Sequence, residues 1–390
     1  MSSSTTAPVN RLKITFVTNI CPHYRVRTFE TISQYYDTKF YFFSAGEEWY
    51  WQQQHGIRQG NFVCEYLRGI IVLGTRIVPR LFPKLLRENP DVYIKCINGR
   101  FALPLTYAAA RLQRKPFVLW TGIWMRLDST FHRLVYPLTK YIYKHADAVV
   151  TYGVHVKKFL VSEGVPEERI FVAQHAVDNC IYGRAVSEQE VSTLREALRI
   201  GTDEKVVLYL GRLEANKGVR HLVDAFQALS ARNAVLVIAG EGSERASLRE
   251  QVRNLEIEKK VRFVDYVSPE DTPPYYALAT VFVLPSITTS VSKELWGLVV
   301  NEAMNQGCPV VVTDAVGAAA GGLVQDRKNG LIVPEADVRS TALAIDEILD
   351  NPALRHDLSL CAKETMRNWD NERMVNGFRQ AIEYVLRQPL

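Results

Sequence analysis

The sequence predicts an α/β protein built from two Rossmann-like domains that face each other across a cleft. Three observations carry this. Short apolar runs alternate with helical stretches along nearly the whole chain, the pattern of parallel sheets covered on both faces. The alternation lapses once, over 180–204, where Gly, Ser and charged residues replace the core pattern, and then restarts. The chain has 390 residues, more than one ordinary domain. Sheets of this kind bind ligands beyond the carboxyl ends of their strands, which makes the cleft the expected site.

In chain order, residues 1–10 (MSSSTTAPVN) read as a disordered tail. A strand is expected at 12–18 (LKITFVT), a loop at 19–23, a helix at 24–36 and a strand at 38–44. Residues 46–61 are aromatic and polar and read as an irregular loop. Residues 75–88 place Arg76, Arg80, Lys84 and Arg87 at helical spacing among Ile, Leu and Phe. Further strands are expected at 91–96, 116–121, 147–151 and 169–173, with helices at 101–113, 131–145 and 154–163. The hinge is placed in 180–204. Beyond it, strands are expected at 205–210, 234–239, 261–264, 281–285 and 308–313. The matching helices are 218–230, 244–255, 269–277, 338–350, 352–367 and 371–387. The boundary drawn from this is a first domain over 11–183 and a second over 184–370.

With 47% hydrophobic and 23% charged residues, the chain can bury real cores. The start lacks the apolar core of a signal peptide, and no apolar run is long enough to span a bilayer. The six cysteines are scattered without a CxxC pair, which fits reduced thiols in a cytoplasmic protein better than disulfides or zinc. Residues 1–200 hold 26 Lys and Arg against 16 Asp and Glu, and the remainder holds 21 against 26. A basic half beside an acidic half suggests that the first half meets something anionic. The stripe at 76–87, with Lys140, Lys144, Lys157 and Lys158, fits an anionic membrane face or a lipid diphosphate, and fits solvated helix faces equally. No recognition motif accompanies the charge, so nucleic acid is a poor partner.

The stretch at 286–305 (SITTSVSKELWGLVVNEAMN) carries the most chemistry. A helix is expected from Leu298, with Gly297 at its start. A helix start exposes unpaired N–H groups and the positive dipole end, which favours an anion. Glu302 lies inside that helix and Glu294 in the loop before it. Eight helical residues span about 12 Å, so the two carboxylates can grip two ends of one extended ligand. An anion flanked by polyhydroxyl groups describes a nucleotide-sugar diphosphate. Upstream, Gly211-Arg212-Leu213-Glu214-Ala215-Asn216-Lys217-Gly218 follows an apolar strand. Gly211 permits a tight turn and close backbone approach. Arg212 offers a bidentate fork and Lys217 a point charge, both suited to charge growing on a departing diphosphate.

Glu294-x7-Glu302, followed by Ala303-Met304-x-x-Gly307-x-Pro309-Val310-Val311, resembles the signature of retaining glycosyltransferases of family four, which have the GT-B fold. The resemblance covers the C-terminal half and, more weakly, the element order of the N-terminal half. It implies that Arg212 and Lys217 bind the donor diphosphate, that Glu294 contacts the donor sugar, and that Glu302 holds the ribose hydroxyls. Gly297 and Leu298 are implied to give backbone N–H groups to phosphate or sugar. It further implies that the helix near 371–387 returns to the first domain, that a sugar moves from a UDP- or GDP-sugar to a saccharide or lipid-linked saccharide hydroxyl, and that neither metal nor cofactor is needed. Asp265-Tyr266-Val267 occupies the base-recognition position, with Asp265-Tyr266 in place of Gly-x.

The first half departs from the family pattern. Cys21-Pro22-His23-Tyr24-Arg25 stands where relatives carry a glycine pair, and Thr121-Gly122-Ile123-Trp124 where many carry a histidine. His23 and Arg25 are candidates to face acceptor or donor, and Trp124 to stack on a sugar ring, each balanced by a packing role. His132 falls inside a helix, and His175-Ala176-Val177-Asp178 reads as chiefly structural. The rival readings are an epimerase or phosphorylase on the same scaffold and a catalytically inactive nucleotide-sugar sensor or scaffold. A dehydrogenase is set aside because the first strand is not followed by G-x-G-x-x-G.

Overall fold

The computed structural model describes residues 11–44, 60–72, 75–231 and 233–388. The expected tail at 1–10 and most of the expected loop at 46–61 lie outside the described residues.

The first half supplies β1 (Lys13–Thr18), β2 (Asp37–Phe42), β3 (Val63–Tyr66), a separate antiparallel hairpin of β4 (Ile70–Val72) and β5 (Thr75–Ile77), then β6 (Val92–Cys96), β7 (Phe117–Thr121), β8 (Ala148–Thr151) and β9 (Ile170–Val172). The main sheet runs β3-β2-β1-β6-β7-β8-β9, with every pairing parallel. The second half supplies β10 (Lys205–Leu210), β11 (Ala234–Ala239), β12 (Val261–Val264), β13 (Val281–Leu284), β14 (Val310–Thr313) and β15 (Leu331–Val333). These form an all-parallel sheet in the order β12-β11-β10-β13-β14-β15. Each sheet reverses direction beside its first strand, between β1 and β6 in one and between β10 and β13 in the other. Loops leave both strands of each pair on the same side there, opening a crevice.

The central strands read plainly because they are covered on both faces. Every residue of β6, β7, β8, β11, β13 and β14 is buried. Lys95 of β6 is the cost of that cover. Its ammonium is fully buried and donates to the Asn98 carbonyl at 2.6 Å, and burial lowers its pKa to about 7. The first core is dominated by rings. Phe16 of β1 meets Phe29, Phe40, Trp120 and Phe378 with centroids 5.3–6.0 Å apart.

Phe378 belongs to the Asn371–Arg387 helix, which follows the second domain and packs on the His23–Tyr35 helix, β8 and β9. Gly377 lets this helix press against the backbone of Val172 and Ala173, where a Cβ would lie 2.4 Å from the Val172 carbonyl oxygen. Asn371 is buried at its start, accepting from Thr28 Oγ1 (2.7 Å) and donating to the Val177 carbonyl (2.8 Å).

Three segments differ from the sequence reading. Residues 75–77 form β5 instead of opening a helix, and only Leu81–Glu88 is helical. Arg76 is therefore on a strand, and Lys84 is paired with Glu65 at 2.7 Å, so the four cations do not make one helical stripe. Residues 180–204 hold a helix at Glu188–Ala197, closed by a capping box between Ser187 and Glu190. Its apolar residues are half-buried at most, which is why no core pattern showed. The short Asn179–Tyr182 helix packs on the Leu298–Asn305 helix of the second domain. Strands β3, β4, β5 and β15 have only three or four residues, too few for an alternation to register.

Candidate functional site

The crevice of the second sheet is built by three loops. After β10 the chain turns at Gly211 and runs to Gly218, whose φ of 65° lies in the left-handed region. A Cβ on Gly218 would stand 2.0 Å from the Pro285 carbonyl oxygen, so only glycine lets this loop reach the one after β13. After β11, Gly240 approaches Gly211 just as closely. After β13 the chain passes through Ser286 and Glu294 to Gly297, with φ of 88°, and enters the Leu298–Asn305 helix. No side chain caps that helix start.

Gly211, Arg212, Lys217, Glu294, Gly297, Leu298 and Glu302 all line one cavity of ≈ 240 Å³. His23 and Tyr24 close it from the first domain. The structure thus brings these seven residues together with Tyr266 and Val267 of the expected base-recognition stretch, whereas Asp265 lies off the cavity wall, exposed and paired with Arg245. Lys217 Nζ donates to Glu294 Oε2, both side chains being nearly buried, and Ser286 Oγ donates to the same oxygen at 3.1 Å. Burial pushes the Glu294 carboxyl up, but Lys217, Ser286 and Arg212 outweigh it and hold the pKa below the ordinary value. Glu294 is therefore a carboxylate at neutral pH. The Tyr209 hydroxyl donates to the Arg212 carbonyl at 2.6 Å and fixes the loop that carries the guanidinium.

Glu302 differs. It is 7% exposed, and burial raises its pKa to about 7, against the opposing hydroxyls of Tyr276 (2.9 Å) and Tyr182. Neither tyrosine was singled out from the sequence. Tyr182 lay in the stretch read as hinge, and Tyr276 in an ordinary apolar helix. The signal available was physical: a carboxylate on an apolar helix requires a polar partner.

A second cavity of ≈ 420 Å³ lies on the first-domain side, at the crevice between β1 and β6. His23, Tyr24 and Arg212 line both cavities, so the two meet there. Asn98 and Asn19, one from each loop of this crevice, are joined at 2.6 Å. Arg25 is 6% exposed and already engaged. It donates to the Tyr152 hydroxyl at 2.8 Å and to His175 Nδ1 at 3.1 Å, and its guanidinium lies 4.1 Å from the Trp120 ring centroid. A guanidinium only donates, so Nδ1 of His175 accepts and that imidazole is neutral. Burial first, and Arg25 second, hold its pKa well below normal. The His175 carbonyl accepts from Asn301 (3.2 Å) and Trp369 (2.9 Å) across the domain boundary.

Trp124 sits elsewhere. Its indole N–H donates to the Glu294 carbonyl at 3.0 Å, Lys293 Nζ stands 3.9 Å from its ring centroid, and His155 meets it edge-on. It joins the domains behind Glu294, outside the walls of both cavities. Trp296, one residue before Gly297, is buried among His155, His175 and Trp369. His132 is bonded to Ser129 at its own helix start. Among the described residues, no cluster of three or more His, Cys, Asp or Glu is placed to hold a metal ion.

A cavity at a helix start, carrying two cations, one ionised carboxylate and one near-neutral carboxyl, suits a diphosphate with hydroxyl-bearing groups on both sides. Residues 190–365 match the family of glycosyl transferases group 1. An α-D-kanosaminyltransferase of Streptomyces kanamyceticus is 30% identical over 290 residues, 71% of this chain and 72% of that protein. The chain belongs to the group 1 glycosyl transferases. An uncharacterized glycosyltransferase of Methanocaldococcus jannaschii is 30% identical over 224 residues, and the match spans 56% of each chain, little more than half of that relative. Among solved structures, Anabaena HepE with UDP and glucose superposes with a TM-score of 0.76, covering 95% of this chain and 99% of that one at 20% identity. At that identity the likeness is one of fold, and it gives this group 1 transferase the GT-B architecture that its sequence resemblance implied.

Proposed function

We propose that this protein transfers a sugar, with retention of configuration, from a UDP- or GDP-sugar to a hydroxyl of a saccharide or lipid-linked saccharide acceptor. The observation that carries this reading is the convergence of Arg212, Lys217, Glu294 and Glu302 on one cavity at the start of the Leu298–Asn305 helix. The diphosphate would lie at that helix start, with Arg212 and Lys217 neutralising the charge that grows as the glycosidic bond breaks. Glu302, near its own pKa, would accept hydrogen bonds from ribose hydroxyls in its carboxylate form. Glu294 would orient the sugar. Among the described residues no side chain stands out as a nucleophile for double displacement, so the acceptor would attack from the face of the departing diphosphate, which takes the acceptor's proton. His23 and Tyr24, closing the cavity from the first domain, would help exclude water, the competing acceptor. Metal-independent action at a cytoplasmic membrane face belongs to the same reading. The described residues hold no helix long and apolar enough to cross a membrane.

The test is a thermal-shift screen against UDP, GDP, ADP, TDP and their sugar conjugates, with and without EDTA. Binding to the native state raises the melting temperature by mass action. One nucleotide series is expected to give a shift that is indifferent to EDTA and lost in Arg212→Ala. A shift that needs a divalent ion removes metal independence, and no shift with any nucleotide overturns the reading. Slow donor hydrolysis that disappears in Glu294→Ala separates a transferase from an inactive sensor.

A further inference from the structure

The first domain holds an apolar cavity of ≈ 390 Å³ that the donor chemistry leaves unused. Ile123, Met125 and Leu127 from the loop after β7 form one wall, and Val135, Leu138 and Ile142 of the Thr130–His145 helix form another. Packed interiors leave few voids larger than a water molecule, and ligand pockets are of this size and character. Its position is as informative as its lining. Asn98 and Leu295 wall both this cavity and the first-domain cavity of the cleft, so the two adjoin at the end of β6. At the other end Leu138 is 51% exposed, and it shares an outward helix face with Leu134 (80%) and Tyr141 (49%) at i, i+4 and i+7. Apolar side chains thus dominate the cavity from half-exposed Leu138 to Leu295 beside the cleft, with Asn98, Arg100, His132 and Thr139 also on its wall.

We propose that this cavity receives the hydrocarbon part of an amphiphilic acceptor, whose saccharide end then lies in the cleft. The proposal rests on the transferase reading above and narrows its acceptor to molecules that carry an apolar chain or ring system next to the sugar. Continuity with the cleft argues for an acceptor in place of a second protein chain. The His132 imidazole on the wall is bonded to Ser129 Oγ at 2.7 Å, and burial first, then Arg100, lowers its pKa. A neutral ring does not oppose a hydrocarbon.

The test uses the full chain and displacement of a fluorescent fatty-acid analogue by octyl β-D-glucoside or methyl β-D-glucoside, both kept below micelle formation. Burying even two methylenes corresponds to about tenfold in affinity, so octyl glucoside is expected to compete at least that much better. Val135→Trp, which fills the cavity from its wall, should abolish the advantage. Leu138→Gln, at a half-exposed side chain that folding tolerates, should reduce it and decides the matter if the tryptophan variant does not fold. Both variants should keep the parent's nucleotide thermal shift. Equal competition by the two glucosides, or an octyl advantage that survives these substitutions, overturns the proposal. A chain-length effect without any nucleotide shift would leave the cavity assigned and sink the transfer reading, and the reverse result would do the opposite.

Discussion

Lys217 and Glu294 are opposite charges that share a nearly dry pocket, and each is there at the other's expense. Removing Lys217 leaves Glu294 buried with only Ser286 and Arg212 to offset its charge, and breaking such a buried pair typically costs up to about 3–5 kcal/mol. Lys217→Ala is therefore expected to lower unfolding free energy in urea by roughly that amount, discounted for the residual exposure of both groups. Lys217→Ala/Glu294→Gln should recover most of it while still failing to bind donor. An additive double mutant would mean that the pair is not coupled. Glu302 makes a second prediction. Its pKa is about 7 in the folded chain against the ordinary 4.5 of an exposed glutamate. The folded state thus holds a proton that the unfolded state releases, and stability falls as the pH rises from 4.5 to 7. Glu302→Gln removes that slope. It should match the parent near pH 4 and exceed it at pH 8 by on the order of 3 kcal/mol, while losing affinity for the nucleotide. Parallel melting-temperature profiles would place a cation beside Glu302. The acidic pair and the Arg212–Lys217 loop were legible in the sequence because their spacing is local to one loop and one helix. What Arg25 and Trp124 touch was not, because their partners lie 31 to 170 residues away and no local pattern encodes them.

At the scale of the element, strands buried on both faces declare themselves as continuous apolar runs, and the three long helices after β15 matched their expected limits. Val338–Asp350, Pro352–Arg367 and Asn371–Arg387 begin behind side-chain caps at Asp337, Asn351 and Asp370, signals that act within one turn. The hairpin β4–β5 and the Glu188–Ala197 helix escaped because neither buries a full apolar face. Glycine placement makes the prediction here. Gly297 combines a left-handed φ with a virtual Cβ 2.6 Å from Leu284 Cδ2. Gly297→Ala should cost about 1–2 kcal/mol for the backbone alone, and should weaken nucleotide binding because the helix start must shift. Gly218→Ala faces a carbonyl oxygen instead of a side chain and should be worse on both counts. Gly322 has φ of 87° but nothing within 4 Å, so Gly322→Ala isolates the backbone term and should leave binding intact. Urea denaturation and nucleotide titration of the three variants would check the order.

At the scale of the molecule, the segments at 175–179 and 366–369, far apart in the chain, are tied together. Asn179 Nδ2 donates to the Met366 carbonyl (2.9 Å) and the Trp369 carbonyl (3.0 Å), and Trp369 donates to the His175 carbonyl. A chain truncated after Asp370 loses Phe378 from the ring cluster around Phe16 and Trp120, together with the cover of β8 and β9. It is expected to bind hydrophobic dye and to lose the melting transition of the first domain. A truncated chain that keeps the full cooperative transition would show the helix to be dispensable. The same helix sets an order on biosynthesis. Phe16 leaves the ribosome early, but its partner Phe378 is translated only after the whole second domain. The second Rossmann-like unit is contiguous in the chain and does not depend on that helix for its sheet. The first must wait, part of its apolar sheet face uncovered, until the ribosome delivers the element that closes it.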